Sequence, residues 1–482
     1  MGARSTTFIL LLAALLSFTA CGSFPTNPPL AKYDPSAGYR FDPVPDDPDP
    51  RDEMFVILVF SGGGSRAAAL SYGVMEALRD TKVRWRGQDI SLLDEVDVIS
   101  AISGGSFPAA YYALRGSKIF DEFPNKFLYR PIQSDLLKLA LMPASWFKLA
   151  GSSFGRSDLA AEFYDREVFG GGSYADVIAQ HKRPFVILNA TDLSTGGQFS
   201  FIQDQFDLLC SDLSSIKLAR AAAASSAFPG LLTPMTFQNY AGTCEYHQPP
   251  WVGLALKDRK SRVNARRTAW AERRVAYTDI ETDARFNTKQ AVREYIHLTD
   301  GGVADNIGLR EPLTAIAGTE NSWDVLRRIN LKQVNKLVVI VVNSATNPST
   351  KRDKTHAVPG LVDTVTTVAT IPLDNYSFET LDLLRATVKE FNEEMRLVSG
   401  CKALAAAKGP QCALDIPVPH QIEFFPIEVA FEYIESDSDR NWFKNLPTNF
   451  ELSRETVDKL RAVARHILNG DPQFKKLIEH LQ

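Results

Sequence analysis

Residues 54–66 read Met-Phe-Val-Ile-Leu-Val-Phe-Ser-Gly-Gly-Gly-Ser-Arg, and this stretch decides the fold. The run 54–60 has no polar face, the pattern of a strand buried on both sides. A glycine turn follows, then an Ala/Leu-rich helix through Leu78. The same grammar returns downstream: Val-Asp-Val-Ile-Ser-Ala-Ile at 96–102 reads as a strand, Ser103-Gly104-Gly105-Ser106 as a turn and 107–114 as a helix. Strand, glycine turn and helix, twice over, predict an α/β domain built on a parallel sheet. Apolar runs at 184–191 and 336–342 supply further central strands, and 199–206 reads as a hairpin partner. Helices are expected at 215–225, 374–397 and 453–468.

At 482 residues, with 45% apolar and 23% charged side chains, the chain can bury a large core and has the composition of a globular protein. A net charge of −4 argues against a nucleic-acid-binding surface. At the N-terminus Arg4 precedes an apolar stretch, 8–16, and then Ser17-Phe18-Thr19-Ala20-Cys21. This is a secretory signal, too short to span a bilayer comfortably as a mature helix. Residues 1–20 resemble a lipoprotein signal peptide, which would make Cys21 the acylated first residue of a bacterial lipoprotein; the other reading is an ordinary signal peptide with Cys21 inside it. Gly22 follows, and nothing there resembles an inner-membrane retention signal, so the expected location is the outer membrane, facing the periplasm. Residues 22–52 hold eight prolines, at 25, 28, 29, 35, 43, 45, 48 and 50, the composition of a stiff tether from 21 to 52.

Setting Cys21 aside leaves Cys210, Cys244, Cys401 and Cys412, an even number suited to an oxidising compartment. Cys401 and Cys412 flank a short loop and pair most naturally with each other, leaving Cys210 with Cys244. Four buried free thiols are the other arrangement. No spacing suggests a metal site, and no cofactor is expected.

Ester hydrolysis needs an exposed nucleophile, a base and hydrogen-bond donors for the developing oxyanion. Ala101-Ile102-Ser103-Gly104-Gly105 is a nucleophile elbow with Ala in place of the first glycine of G-x-S-x-G. Alanine adds one methyl group and keeps the turn feasible. Upstream, Gly62, Gly63 and Gly64 open a helix, where backbone amides form an anion site that Cβ atoms would obstruct. A phosphate-binding loop would end in Gly-Lys-Ser/Thr, and Arg66 stands there instead. Arg66 could hold the loop or steer anionic head groups.

The order Gly-Gly-Gly-x-Arg, serine elbow, then Asp300-Gly301-Gly302 resembles the patatin-like phospholipases. Asn189-Ala-Thr-Asp-Leu-Ser-Thr-Gly196 and Ala219-Arg-Ala-Ala-Ala-Ala-Ser-Ser-Ala-Phe-Pro-Gly230 match the same family. The resemblance implies a three-layer α/β/α fold with a mainly parallel sheet over 53–345. It also implies a lipid acyl hydrolase working through a Ser103–Asp300 dyad, with no histidine between them and an acyl-enzyme intermediate. Gly105, Gly301 and Gly302 would support the two turns. A polar, Arg-rich insertion falls at about 246–290, and 346–482 reads as a helical extension packed on the domain. Ser61, Ala67 and Ala101 depart from the family pattern. All are small residues, and they bear on the strength of activity more than on the fold.

Two alternatives stay open. A Ser–His–Asp triad would draw its base from His297, His420 or His466, although His297 lies three residues before Asp300, a strand spacing that points the two to opposite faces. A catalytically weak or inactive lipoprotein could instead bind a lipid or a partner protein in the cleft. Eight basic residues at 257, 259, 260, 262, 266, 267, 273 and 274 form a solvated helix face or a surface for anionic head groups. Apolar side chains between 120 and 147, among them Tyr129, Leu136, Leu141, Trp146 and Phe147, read as core or as a cap over an acyl-binding groove.

Overall fold

The computed structural model describes residues 25–41, 54–309, 334–347 and 422–481, apart from breaks at 86, 152, 181–182, 258–264 and 284–287, together with scattered positions between 356 and 407. Its strands in chain order are β1 (Met54–Phe60), β2 (Lys82–Trp85), β3 (Gln88–Ser91), β4 (Val96–Ile102), β5 (Phe185–Asp192) and β6 (Gln198–Ser200). They continue with β7 (Met235–Gln238), β8 (Ile280–Asp283), β9 (Thr288–Ala291), β10 (Tyr295–Asp300), β11 (Lys336–Asn343) and β12 (Glu423–Ala430). The main sheet runs β12-β11-β1-β4-β5-β10-β7, with β6 paired to β5. β12, β11, β1, β4 and β5 are mutually parallel, whereas β10 is antiparallel to both β5 and β7.

The continuous apolar run of β1 is explained by its place inside this sheet. Val56, Leu58 and Phe60 enter the larger apolar cluster on one face, while Phe55, Ile57 and Val59 enter the smaller cluster on the other. Helices cover the sheet. The two that follow the glycine turns are α1 (Gly64–Asp80) and α2 (Ser106–Arg115). After them come α3 (Ile132–Ala140), α4 (Pro143–Leu149), α5 (Arg156–Tyr164) and α6 (Leu218–Ser225). The insertion folds as α7 (Pro250–Lys257), α8 (Ala265–Thr278) and the β8–β9 hairpin, and the C-terminal part holds α9 (Asp437–Lys444), α10 (Arg454–Gly470) and α11 (Pro472–His480).

Four expectations need correction. Residues 25–41 do not stand off as a tether. Asn27 and Tyr39 are buried, Asn27 bonds Ser211 and the Gln238 carbonyl, and the Tyr39 hydroxyl takes the Val186 N–H at 2.8 Å. A proline-rich strip can dock in extended form where side chains on the domain satisfy its polar groups. The stretch 199–206 is only briefly a strand: β6 ends at Ser200, and Gln203–Phe206 is a helical turn. The C-terminal part is not only helical, because β12 pairs in parallel with β11 along its whole length. Its Pro426 and the half-buried Glu423 and Glu428 belong to an edge strand, the one place a sheet tolerates proline. Finally, Cys401 is a free, exposed thiol, so the pairing with Cys412, which lies outside the described residues, is not formed. Cys210 and Cys244 are bonded, with Cα atoms 5.4 Å apart.

The C-terminal helices lock onto the first one through a glycine. A Cβ on Gly73 of α1 would lie 2.7 Å from the Arg461 Cα and 2.8 Å from the Ala464 Cβ of α10. Arg461 then pairs with Glu76 one turn along, at 2.8 Å. Gly73→Val is expected to cost roughly 1–3 kcal/mol through overpacking, measured as a lower urea midpoint at unchanged slope.

Candidate active site

The turn after β4 holds Ser103 in a left-handed backbone conformation, φ 48°, directly after an extended Ile102. A non-glycine residue in this region is strained, and that strain lifts its hydroxyl out of the strand-to-helix turn. The turn needs glycine most at Gly104, where a Cβ would sit 2.0 Å from the Gly64 carbonyl oxygen. At Gly105 a Cβ would lie 2.7 Å from the Phe60 Cβ. Ala101, by contrast, lies in register between Phe60 and Leu188, and its methyl is fully buried without displacing either strand. The glycine missing from the elbow pattern is therefore the one this packing can do without.

Asp300 ends β10 across β5 from the elbow. Its Oδ2 accepts from the Ser103 hydroxyl at 2.8 Å, and its Oδ1 accepts from the Gly302 N–H at 2.8 Å. The backbone of Asp300 is fixed on both sides: its N–H donates to the Ala227 carbonyl at 3.0 Å, and its carbonyl accepts from the Thr191 hydroxyl at 2.8 Å. Gly301 is required because a Cβ there would meet the Asn189 carbonyl oxygen at 2.3 Å. Ser103 and Asp300 are only 7% and 5% exposed. Burial pushes the Asp300 carboxyl up to about 6, against the pull of the hydrogen bonds from Gly302 and Ser103. Among the described residues, no cation offsets that burial.

Among the described residues, no histidine joins the pair. His297 is exposed and bonds Thr236 at 3.0 Å. His466 is exposed on α10, and His420 lies outside the described residues.

The glycine loop sits against the same serine. A Cβ on Gly62 would be 3.3 Å from the Ser103 Cβ. Gly62 is not an oxyanion donor, however, since its N–H is already given to the Asn306 carbonyl at 3.0 Å. Gly63 and Gly64, at φ 138° and 62°, lead into α1 and remain the loop's candidates. Arg66 is buried and its guanidinium is engaged by the protein itself. Its Nε donates to the Ser344 carbonyl at 2.9 Å, and Nη1 donates to the Leu446 and Pro447 carbonyls, each at 2.9 Å. Ser61, where the family has Asp, accepts the Ser344 N–H at 2.9 Å and so closes the loop onto β11.

Sequence reasoning missed three supporting residues. The Ser225 hydroxyl accepts the Ser103 N–H at 2.9 Å and donates to the Asn189 carbonyl at 2.6 Å, so Ser106, 2.8 Å away, is the donor in the third bond. Ser225 lies inside the quoted segment 219–230, but only the fold brings it under the elbow. Asn306 and Asn449 act through backbone carbonyls, which any residue type supplies, so sequence holds no signal for them. Of the basic insertion residues, Arg274 bonds the Tyr246 hydroxyl at 2.7 Å and Arg267 lies 5.8 Å over the Trp251 ring. Both are engaged with the protein itself.

A strained serine bonded to a buried carboxylate at the edge of a mainly parallel sheet is a hydrolase layout. Residues 58–313 match the family model described as patatin-like phospholipase. The chain belongs to that family. No curated protein matches it in sequence. Among solved structures it is similar to human GIVD cytosolic phospholipase A2, at 14% identity and a TM-score of 0.28 over 62% of this chain and 46% of that one. It is also similar to VipD from Legionella pneumophila, at 10% identity and a TM-score of 0.25 over 86% of this chain and 67% of that one. The chain thus spans less than half the length of the human enzyme.

Because the Asp300 carboxyl is raised from 3.8 to about 6, the folded state holds its proton more tightly than the unfolded chain. Its stabilising contribution is complete below the unfolded value and is lost as pH rises through about 6. Asp300→Asn is therefore expected to be as stable as wild type or more so at pH 8, by up to about 3 kcal/mol. The gap should close toward pH 4 in urea melts at both pH values.

Proposed function

We propose that the protein hydrolyses carboxylic ester bonds of phospholipids or related lipids through a Ser103–Asp300 dyad. The observation that carries this reading is the 2.8 Å bond between the Ser103 hydroxyl and a buried Asp300 whose basicity is raised. Asp300 Oδ2 takes the hydroxyl proton as Ser103 Oγ attacks the ester carbonyl carbon. The oxyanion is stabilised by the Gly63 and Gly64 amides at the start of the 17-residue α1, whose dipole favours negative charge there. Collapse breaks the ester C–O bond, and the leaving alkoxide recovers the proton from Asp300, leaving an acyl-Ser103. Water, deprotonated by the same carboxylate, then releases the fatty acid.

The N-terminal signal supports acylation at Cys21 and an outer-membrane, periplasm-facing location. The Cys210–Cys244 bridge suits that oxidising compartment. No helix among the described residues is long and apolar enough to cross a membrane.

A fluorophosphonate probe is expected to label wild type and not Ser103→Ala; a folded wild type that takes no label would remove the enzyme reading. The acid limb of kcat/KM should bend near pH 6, where Asp300 protonates, and fall about tenfold per pH unit below it. A limb centred near 4 would mean that the base is not this buried carboxylate. Lipid analysis of the products from wild type and Asp300→Asn identifies the ester cleaved.

A further inference from the structure

Part of the segment between 120 and 147 is core: Phe120, Tyr129 and Leu136 pack against the main apolar cluster. The remainder is not. In the α3–α4 hairpin, Leu141 is 70% exposed, Trp146 59% and Phe147 60%, with Leu137 and Met142 beside them at 52% each. An apolar set of this size concentrated on one short hairpin marks an interaction face. The Trp146 indole N–H donates to the Ala140 carbonyl at 3.1 Å, inside the hairpin. The ring's single donor is thus satisfied, and the ring can leave water without stranding a polar group. Lys138 and Lys148 stand at the margin, 3.7 Å from Asp135 and 2.7 Å from Glu162. Their long stems can keep the ammonium groups in a polar layer while their apolar neighbours go deeper.

The hairpin is tied to the reacting pair from both ends. At its start, Gln133 N–H donates to the Phe450 carbonyl at 3.3 Å, and the neighbouring Asn449 carbonyl takes the Ser65 N–H of the glycine loop at 2.7 Å. Beyond its end, Ser157 of α5 bonds both the backbone and the hydroxyl of Thr233. Thr233 lies just past Leu231, itself 39% exposed, on the loop whose Ala227 carbonyl holds the Asp300 N–H.

We infer that the hairpin 132–149 is the face on which the protein settles onto a lipid bilayer, with Leu141, Trp146 and Phe147 entering the acyl layer. The occupant follows from the chemistry of the proposed reaction. The substrate of a lipid hydrolase is itself held in a bilayer, and an aromatic and aliphatic face bonded to the segments that hold Ser103 and Asp300 brings the bilayer to them. The inference rests on the hydrolase reading for its purpose, and its test separates the two.

The full chain is mixed with phosphatidylcholine/phosphatidylglycerol vesicles, with and without brominated acyl chains, and tryptophan emission is read for wild type and Trp146→Phe. Bromolipid is expected to quench wild type, and most of that quench should vanish in the variant. In parallel, Leu141→Asp/Phe147→Asp should hydrolyse vesicle phospholipid about tenfold more slowly and a soluble butyrate ester at the wild-type rate. Emission from Trp146 indifferent to bromolipid, or vesicle hydrolysis untouched by the double substitution, overturns the inference. If wild type cleaves neither ester, the hydrolase reading fails alone and the quenching result still decides the docking face.

Discussion

The structure depends on backbone meeting backbone where no side chain fits. Gly104 lies against the Gly64 carbonyl, Gly64 against the Asn449 carbonyl and Gly301 against the Asn189 carbonyl, and a Cβ at any of them would come within 2.0 to 2.3 Å of the facing oxygen. Five chain segments, from β1, β4, β5, β10 and the stretch before α10, converge in this way on one end of the sheet. The serine, its carboxylate partner and the amide-bearing loop are held in place by the main chain more than by side-chain packing. This is why small departures such as Ala101 leave the arrangement intact. Ala101 lies within the strand ladder, away from the close contacts.

The charges at this edge are kept apart as deliberately as the backbones are brought together. Arg66 is buried, and its guanidinium donates to the Ser344, Leu446 and Pro447 carbonyls and the Thr448 hydroxyl. Asp300 is buried, and among the described residues its carboxyl bonds a hydroxyl and an amide. A guanidinium beside that carboxylate would stabilise its ionised form and weaken it as a base. Asp192, with a different task, shows the opposite choice: Arg293 and Tyr277 both bond it, tying the insertion to the end of β5.

The central strands and both glycine turns were legible in the sequence because burial on two faces leaves an unmistakable apolar run and a strained turn leaves its glycines. Asp300 was legible through its following glycines and the order of motifs. β12 was not, since an edge strand carrying Pro426 has neither a continuous apolar run nor a clean alternation. Nor was the docking of 25–41, whose proline content suggests a free tether until Asn27 and Tyr39 find acceptors far away in the chain. The loss of Gly62 as a donor and the structural duty of Arg66 were hidden for a common reason. In both cases the partner is a backbone carbonyl, which has no signature in residue type.

The pairing of Arg66 also sets an order of events. Its acceptors at Leu446 and Pro447 lie 380 and 381 residues downstream. As the chain leaves the ribosome, β1, α1, β4, β5 and β10 are all out before those carbonyls exist. Until then the glycine loop is held through Asn306 and Ser344, and the Arg66 guanidinium lacks the Leu446 and Pro447 carbonyls that help make its burial tolerable. The loop beside Ser103 thus gains its contacts with 446–449 only when synthesis is nearly complete.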